Sequence, residues 1–413
     1  MVDVVHRIIV GLDVHLSFVV ACLRVQRGRK VTREHRKFGS TVPELMKLLG
    51  WLIEAKCPLA IIESSGVYWK PVFNILEGSM DVCLINAHHA KAVAGYKTDR
   101  LDAARLADLG AHGLLRPSFI PPAAIRELRE ITRYRKSLVQ ERVSEINRVE
   151  KVLETANIKL GAVVSDIVGV SGRAMIRALI KGERSPVALA AFAKGSLKGK
   201  TDELIPALTG RFMDGHGFLL GHLLDHIEYL EDEIAALSKE IARLCEPFHE
   251  VIELLMTIPG IGRATAEVIV AEIGVDMSRF PSAHHLASWA GVCPGNYETA
   301  GKRYGGRTRK GNRWLRGALA EAGWAATRTK GSEYQAQFRR LAFARGKGKN
   351  KARVAVSHAM LIAIWHIMKK MTPYKALAPA ERTASNPEKA RQSLVKRLEK
   401  LGYSVTLEQR QPA

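Results

Sequence analysis

Acidic residues are in short supply: 41 Asp and Glu stand against 63 Lys and Arg, leaving a formal net charge of +22 and a pI near 9.9. Such a field suits a polyanion such as nucleic acid as the partner. Cysteine is scarce too. Cys22, Cys57, Cys83, Cys245 and Cys293 are odd in number, widely spaced and free of any CxxC pair, which argues against a disulfide frame or a zinc site and fits a reducing compartment. No apolar run approaches the ~20 residues that cross a bilayer, and the opening residues lack the long apolar core of a signal peptide. A soluble intracellular protein with no membrane partner is therefore expected. What remains is ordinary globular composition, 47% hydrophobic and 25% charged over 413 residues, enough for two or three domains with separate cores.

Within residues 7–25 two apolar, β-branched runs flank a polar turn, the pattern of adjacent strands in a buried sheet. Two further short runs, 59–62 and 82–85, end at Glu63 and Asn86. With helical stretches at 42–54 and 71–76 between them, the opening region reads as α/β, and helix dominates from about residue 122. Farther on, Leu223, Ile227, Leu230, Ile234, Leu237, Ile241 and Leu244 alternate spacings of four and three, an a/d seam that predicts a coiled-coil helix. A looser stripe through Leu138, Val139, Ile146, Val149 and Leu153 offers an antiparallel partner from the same chain or from another subunit. Ordinary helix-bundle packing is the alternative. Residues 156–210 are rich in Ala, Gly and Lys and carry no readable function. The polar tail from Leu377 predicts at most a short terminal helix.

Asp13 ends the apolar run in GLDVH and Glu63 ends LAIIE, so each carboxylate emerges from a strand terminus, where α/β sheets place their ligands. Asp99 and Asp102, in KTDRLDAARLA, stand three apart at the start of a helical stretch and share one face. Taken singly, Asp102 reads as a helix-surface charge and Asp99 as a first-turn acid favoured by the helix dipole. Taken together, four converging acids repel one another unless divalent cations neutralise them, and all-oxygen ligation suits Mg2+ or Mn2+. Such ions would stabilise a phosphodiester under attack. No metal-binding spacing joins the histidines: His88 is a candidate for the margin of the site, and His358 and His366 read as packing residues.

Residues 256–274, MTIPGIGRATAEVIVAEIG, read as a helix end, a tight turn and a second apolar helix, the pattern of a helix-hairpin-helix. Gly260 and Gly262 would let backbone N–H groups approach a phosphate without reading a base; a simple glycine-terminated helix turn is the alternative. Across residues 296–316, Lys302, Arg303, Arg307, Arg309, Lys310, Arg313 and Arg316 face a single acid, Glu298. The glycines there predict a loop and the cations a phosphate grip. Tyr297, Tyr304 and Trp314 are interleaved as stacking candidates, Trp314 serving equally well as core. A second basic run, 345–353, precedes an apolar helix over 354–368 and reads as a backbone contact.

Taken in order over most of the chain, GLDVH, IIESSGVYW, INAHHAKAVAGYKTDRLDAARLA, IPGIGRATA and WAGVCPGNYETAGKRYGGRTRKGNRWLR resemble the transposases of the insertion-sequence 110 family, which includes site-specific DNA invertases of the Piv type. The resemblance implies a RuvC-like (RNase H-like) N-terminal domain whose DEDD tetrad falls on Asp13, Glu63, Asp99 and Asp102. It also implies a C-terminal serine nucleophile that attacks a DNA phosphate to give a covalent protein–DNA ester, with the metal site assisting from the other domain. The matching position here is Thr299. The extra methyl stiffens χ1 and crowds in-line attack, which leaves a slower nucleophile or an inactive copy as the two readings. On residue chemistry alone Thr299 is a loop threonine among cations. The resemblance further implies a structured guide RNA, assembly as homodimer or homotetramer on DNA, and a place in the bacterial cytoplasm at the nucleoid.

The expected organisation is an α/β RuvC-like catalytic domain over residues 1–115, a helical coiled-coil or linker region over 116–250, a mainly α transposase domain over 251–375 and a polar tail over 376–413. The expected activity is that of a transposase or site-specific recombinase that cleaves and rejoins the DNA of an insertion sequence. Two alternatives stand beside it. One is a Mg2+-dependent RuvC-type nuclease or junction resolvase, in which activated water attacks and Thr299 is irrelevant. The other is an inactive nucleic-acid binder, which accounts for the missing serine but not for an intact tetrad.

Overall fold

The computed structural model describes residues 4–64, 66–86, 99–295, 297–304, 308–346, 348–376, 387–399 and 401–407. The chain forms two compact units, Met1–Ile120 and Pro121–Ala413.

The first unit is built on a mixed sheet of five strands: β1 (Ile8–Val14), β2 (Phe18–Arg27), β3 (Lys30–Gly39), β4 (Leu59–Glu63) and β5 (Asp81–Ile85), in the order β3-β2-β1-β4-β5. The first three pair antiparallel, whereas β4 runs parallel to β1 and β5 parallel to β4. Alternation along β1 sends Val10, Leu12 and Val14 into a core with α1 (Val42–Glu54) and α2 (Trp69–Leu76). Ile9 points the other way, into a core with α3 (Asp99–Ala111). Both faces are covered, which is why the central strands read as continuous apolar runs. β3 left no such trace in the sequence. It is an edge strand of mostly exposed charged residues, paired with β2 along its whole length, and edge charges discourage pairing with a foreign sheet. Asp108 on α3 ties the helix to these outer strands: Arg24 Nε donates to it at 3.0 Å, and Arg33 donates to both its oxygens at 3.0 and 3.1 Å.

In the second unit α4 (Ala123–Thr155) lies against α6 (Asp214–Leu244). The contacts Arg135–Ser238, Arg142–Glu231 and Glu145–His226 run in opposite senses along the two helices, so they are antiparallel. The stripe on 138–153 and the seam on 223–244 thus meet within one chain. The buried face of α6 is broader than an a/d seam at its start, where Leu220 and Leu224 are buried with Leu223, Ile227 and Leu230. Toward its end Ile234, Leu237 and Leu244 are only half-buried. The asymmetry comes from residues 156–210, which include α5 (Val170–Ile180) and lay Met175, Ile176 and Leu179 onto the first half of α6.

Beyond them follow α7 (His249–Met256), α8 (Arg263–Ile273), α9 (Ala283–Trp289), the strands β6 (Tyr297–Thr299) and β7 (Lys302–Tyr304), and α10 (Arg313–Arg328). The chain continues through α11 (Glu333–Arg339), α12 (Lys349–Lys370) and α13 (Pro387–Glu399). α12 starts before the expected residue 354, taking Lys349, Lys351 and Arg353 into its first turns, because long straight-chain cations are good helix formers. His366, expected to pack, is exposed on α12 beside Trp365, while His358 is half-buried beside His284. No described helix is long and apolar enough to cross a membrane.

One close approach sets the geometry of the first unit. A Cβ at Gly11 of β1 would lie 2.1 Å from the Ala103 carbonyl oxygen and 2.6 Å from the Ala107 amide nitrogen. Gly11→Ala is therefore expected to push α3 off the sheet at a cost of roughly 1–3 kcal/mol, seen as a lower thermal midpoint. Gly50→Ala, where a Cβ meets nothing on α1, is the control and should leave the midpoint unchanged or raise it.

Candidate functional site

In the parallel pair β1–β4, Val10 stands beside Ala60, Gly11 beside Ile61 and Leu12 beside Ile62. One step further along come Asp13 and Glu63, both half-buried at the carboxyl ends of their strands, and neighbouring strands lie only ~4.8 Å apart. Alternation puts Asp13 on the same face as Gly11, where the backbone of α3 meets the sheet. Near the other end of α3, Gly110 lies over Ile9 and Ile61. The helix therefore runs antiparallel to β1, with its amino end toward Asp13 and Glu63. Asp102 is half-buried in that first part of the helix, one turn before Leu106. Asp99 opens the helix, but its side chain lies outside the described residues.

Sheet and helix thus bring three of the four expected carboxylates to one end of the unit. Among the described residues no three His, Cys, Asp or Glu are grouped closely enough to hold a metal ion. The donors are nonetheless all oxygen and half-buried, the set that a hard divalent cation takes. The next acid along α3, Asp108, is already neutralised by Arg24 and Arg33. His15 was missed from the sequence: its Nε2 stands 3.0 Å from Asp13 Oδ2, and its ring lies 4.5 Å from that of Phe18. The signal was present, since residues two apart on a strand share a face. His88 lies outside the described residues.

In the second unit Thr299 is exposed at the end of β6, opposite exposed Lys302 on β7. Between them Ala300 and Gly301 have φ of 50° and 73°, the two positive values of a type I′ hairpin turn. The expected loop is therefore a hairpin, hidden because Ala-Gly replaces the usual Asn-Gly. Its foot is closed by a bridge between Pro294 and Thr308 and by the crossing of Gly291 and Gly311, where a Cβ on Gly311 would lie 2.3 Å from the Ala290 carbonyl oxygen. Arg309, Lys310 and Arg313 are exposed and Arg316 half-buried. The side chain of Arg303 and the whole of Arg307 lie outside the described residues, as do the rings of Tyr297 and Tyr304. Trp314 is half-buried.

Gly260 has a φ of 89°, and a Cβ there would lie 2.4 Å from the Ala322 carbonyl oxygen and 2.6 Å from the Ala326 nitrogen of α10. Its glycine is explained by helix packing. Gly262, by contrast, is exposed with open space around it at the start of α8.

A buried acid anchors the hairpin's foot. Glu272, fully buried at the end of α8, accepts from Arg133 Nε and Nη2 at 2.7 and 2.8 Å and from Asn312 Nδ2 at 2.5 Å. Asn312 Oδ1 in turn accepts from the Trp314 and Leu315 amides at 3.0 Å each, capping α10. Arg129 adds bonds to the Ala271 and Glu272 carbonyls at 3.0 and 2.6 Å. Burial pulls its guanidinium down to about 10 against the opposing pull of Glu272.

Residues 10–158 match the transposase family that takes its name from IS110 and the DEDD motif, and residues 252–339 match the transposase family of IS116, IS110 and IS902. Together they span more than half of the chain. The chain belongs to the IS110 family of transposases. This transposase is 25% identical over 305 residues to the uncharacterized protein of insertion element IS110 from Streptomyces coelicolor, covering 69% of this chain and 73% of that one. It is 29% identical over 155 residues to the pilin gene-inverting protein of Moraxella bovis, covering 36% of this chain and 48% of the relative. The transposase for insertion sequence element IS1328 of Yersinia enterocolitica is 31% identical over 104 residues, 25% of this chain and 30% of that one. Among solved structures, RuvC of Thermus thermophilus matches with a TM-score of 0.22 and 11% identity, over 27% of this chain and 99% of its own. As a transposase of this family the chain is an enzyme that acts on DNA.

The anchor of the transposase hairpin is open to a direct measurement. Asn312→Ala removes a helix cap and one donor to Glu272, and should cost about 1–2 kcal/mol in denaturant unfolding. Glu272→Gln leaves two arginines facing a neutral group and should cost more, roughly 3–5 kcal/mol.

Proposed function

We propose that this transposase cleaves and rejoins DNA through a covalent ester at Thr299, aided by a divalent cation held by Asp13, Glu63, Asp99 and Asp102 in a RuvC-like unit. The observation that carries the reading is the convergence of Asp13, Glu63 and the first turns of α3 at one end of the sheet. Mg2+ or Mn2+ bound there would neutralise the carboxylates and polarise a phosphodiester. His15 would hold the Asp13 carboxylate in orientation through its 3.0 Å contact.

Thr299 is exposed beside the type I′ turn, as an attacking group needs to be. Its Oγ would form the bond to phosphorus while the bond from phosphorus to a deoxyribose oxygen breaks, that oxygen leaving as a hydroxyl once protonated. Attack by a second sugar hydroxyl on the threonyl ester would rejoin the DNA and release Thr299. Lys302 across the hairpin, together with Arg303, Arg307, Arg309, Lys310 and Arg313, would neutralise phosphate oxygens as their charge grows. The exposed backbone at Gly262, with Gly260 shaping the turn as in a helix-hairpin-helix, would take a backbone phosphate at the start of α8. A structured guide RNA and assembly into dimers or tetramers, with the α4–α6 pair as a coiled coil, are proposed on the family resemblance. The excess of cations gives either polyanion a surface.

The test is a denaturing gel with the element's own junction DNA, Mg2+ and co-expressed RNA. A covalent adduct should form with the native chain, disappear in Thr299→Ala and in Asp13→Ala, and grow stronger in Thr299→Ser. Mg2+-dependent cutting with no adduct in any variant would make water the nucleophile and replace this mechanism with that of a nuclease.

A further inference from the structure

Within the second unit α4, α6, α8 and α10 line an open hollow of about 410 Å3, a size typical of ligand sites. None of the residues that line it belongs to the Thr299 hairpin. Its walls are largely apolar, with Val139 from α4, Ile234 from α6, Val268 from α8 and Ala318 from α10. Trp314 closes one side, with the Arg313 guanidinium 4.5 Å and the Arg133 guanidinium 5.8 Å from its ring centre. Two neutral polar side chains, Thr265 and Gln140, also line the hollow and make no side-chain hydrogen bond among the described residues. Lys136 on the lining is already paired, its ammonium 2.7 Å from Glu321, which lines the hollow as Glu272 does, whereas Arg313 has no carboxylate partner among the described residues.

These features select a ligand. A purely apolar molecule would leave the half-buried Thr265 hydroxyl without a partner. A bare inorganic anion would leave the apolar walls unused. A flat heteroaromatic ring carrying an anionic group would use both: the apolar surface of Trp314, Val139 and Val268 for its faces, Thr265 and Gln140 for its polar edge, and Arg313 for its charge. We propose that this hollow receives one unpaired nucleotide of a nucleic-acid strand. The proposal rests on the nucleic-acid reading of the chain, but neither on Thr299 as nucleophile nor on the metal site. A base held in a duplex presents only its edges, so it must leave its stack to lay its face against Trp314.

The experiment titrates the full chain against a short single-stranded oligonucleotide carrying 2-aminopurine, the same base fully paired in a duplex, and free 2-aminopurine nucleoside monophosphate. The single strand should change the emission of the probe, and the paired form should bind about tenfold more weakly at this site. Gly317→Leu fills the hollow from a position where a Cβ meets nothing, and leucine suits the middle of α10, so the fold is retained and circular dichroism can verify it. This variant should lose the emission change while still shifting long duplex DNA on a gel. Gln140→Ala, on an exposed position, should weaken the single strand without altering the duplex shift. A Gly317→Leu chain that binds the probe as the native chain does would overturn the proposal. So would a free monophosphate that binds as tightly as the strand, since the hollow would then be a site for a small nucleotide. Failure of the native chain to bind any oligonucleotide would overturn the nucleic-acid reading together with this one.

Discussion

The first unit depends on the absence of one side chain. At Gly11 the sheet has no Cβ, and the Ala103 and Ala107 backbone of α3 occupies the space where one would stand. A helix held that closely has a fixed height above the sheet, and the salt bridges of Asp108 to Arg24 and Arg33 hold its axial position. Height and position together decide where the first turn of α3 falls relative to Asp13 and Glu63. The positions of Asp13 and Glu63 relative to α3 are thus set by packing.

The second unit solves a different problem by a related device. A hairpin with an exposed tip has few contacts of its own, so its direction is set at its foot. Gly291 and Gly311 let two backbone segments cross at a distance no side chain would permit. Asn312 then joins this crossing to the buried Glu272, with Arg133 and Arg129 completing the charge balance. A carboxylate buried this fully is tolerated only when its charge is compensated and its lone pairs are occupied. Breaking either condition frees the foot and, with it, the direction of Thr299.

The parts of this architecture visible in the sequence are those with a strong local period. The strands carrying Asp13 and Glu63, the helix α1 and the long helices α4 and α6 all announce themselves by apolar spacing. β3 does not, because an edge strand with Arg33, Glu34, Arg36 and Lys37 on it has no apolar alternation to detect. The hairpin at Thr299 does not, because Ala300 occupies a left-handed position normally given to Asn or Gly. His15 was legible in principle from its spacing to Asp13. Glu272 was not: it follows an apolar helix run and reads as a surface acid, and only the fold brings Arg133, from 139 residues away, onto it. Family resemblance supplied Thr299, which residue chemistry alone left as an ordinary loop residue.

The distribution of charge follows from these constraints. Within the helical unit several acids pair locally: Glu228 and Glu231 hold Arg142, Arg173 and Arg177, Glu267 holds Arg135, and Glu272 holds Arg129 and Arg133. The two hydrogen-bonded arginines pull Glu228 below the usual carboxylate range, Arg177 foremost. Lys302, Arg309, Lys310 and Arg313, on and beside the hairpin, have no carboxylate partner among the described residues. They are part of a formal charge of +22. Cations of this kind gain most from phosphates that bring their own negative charge and release their counterions. The hollow beside Trp314 lies on the same helix as the last of these cations. A strand drawn to the hairpin by charge would therefore pass within reach of a cavity lined for a base.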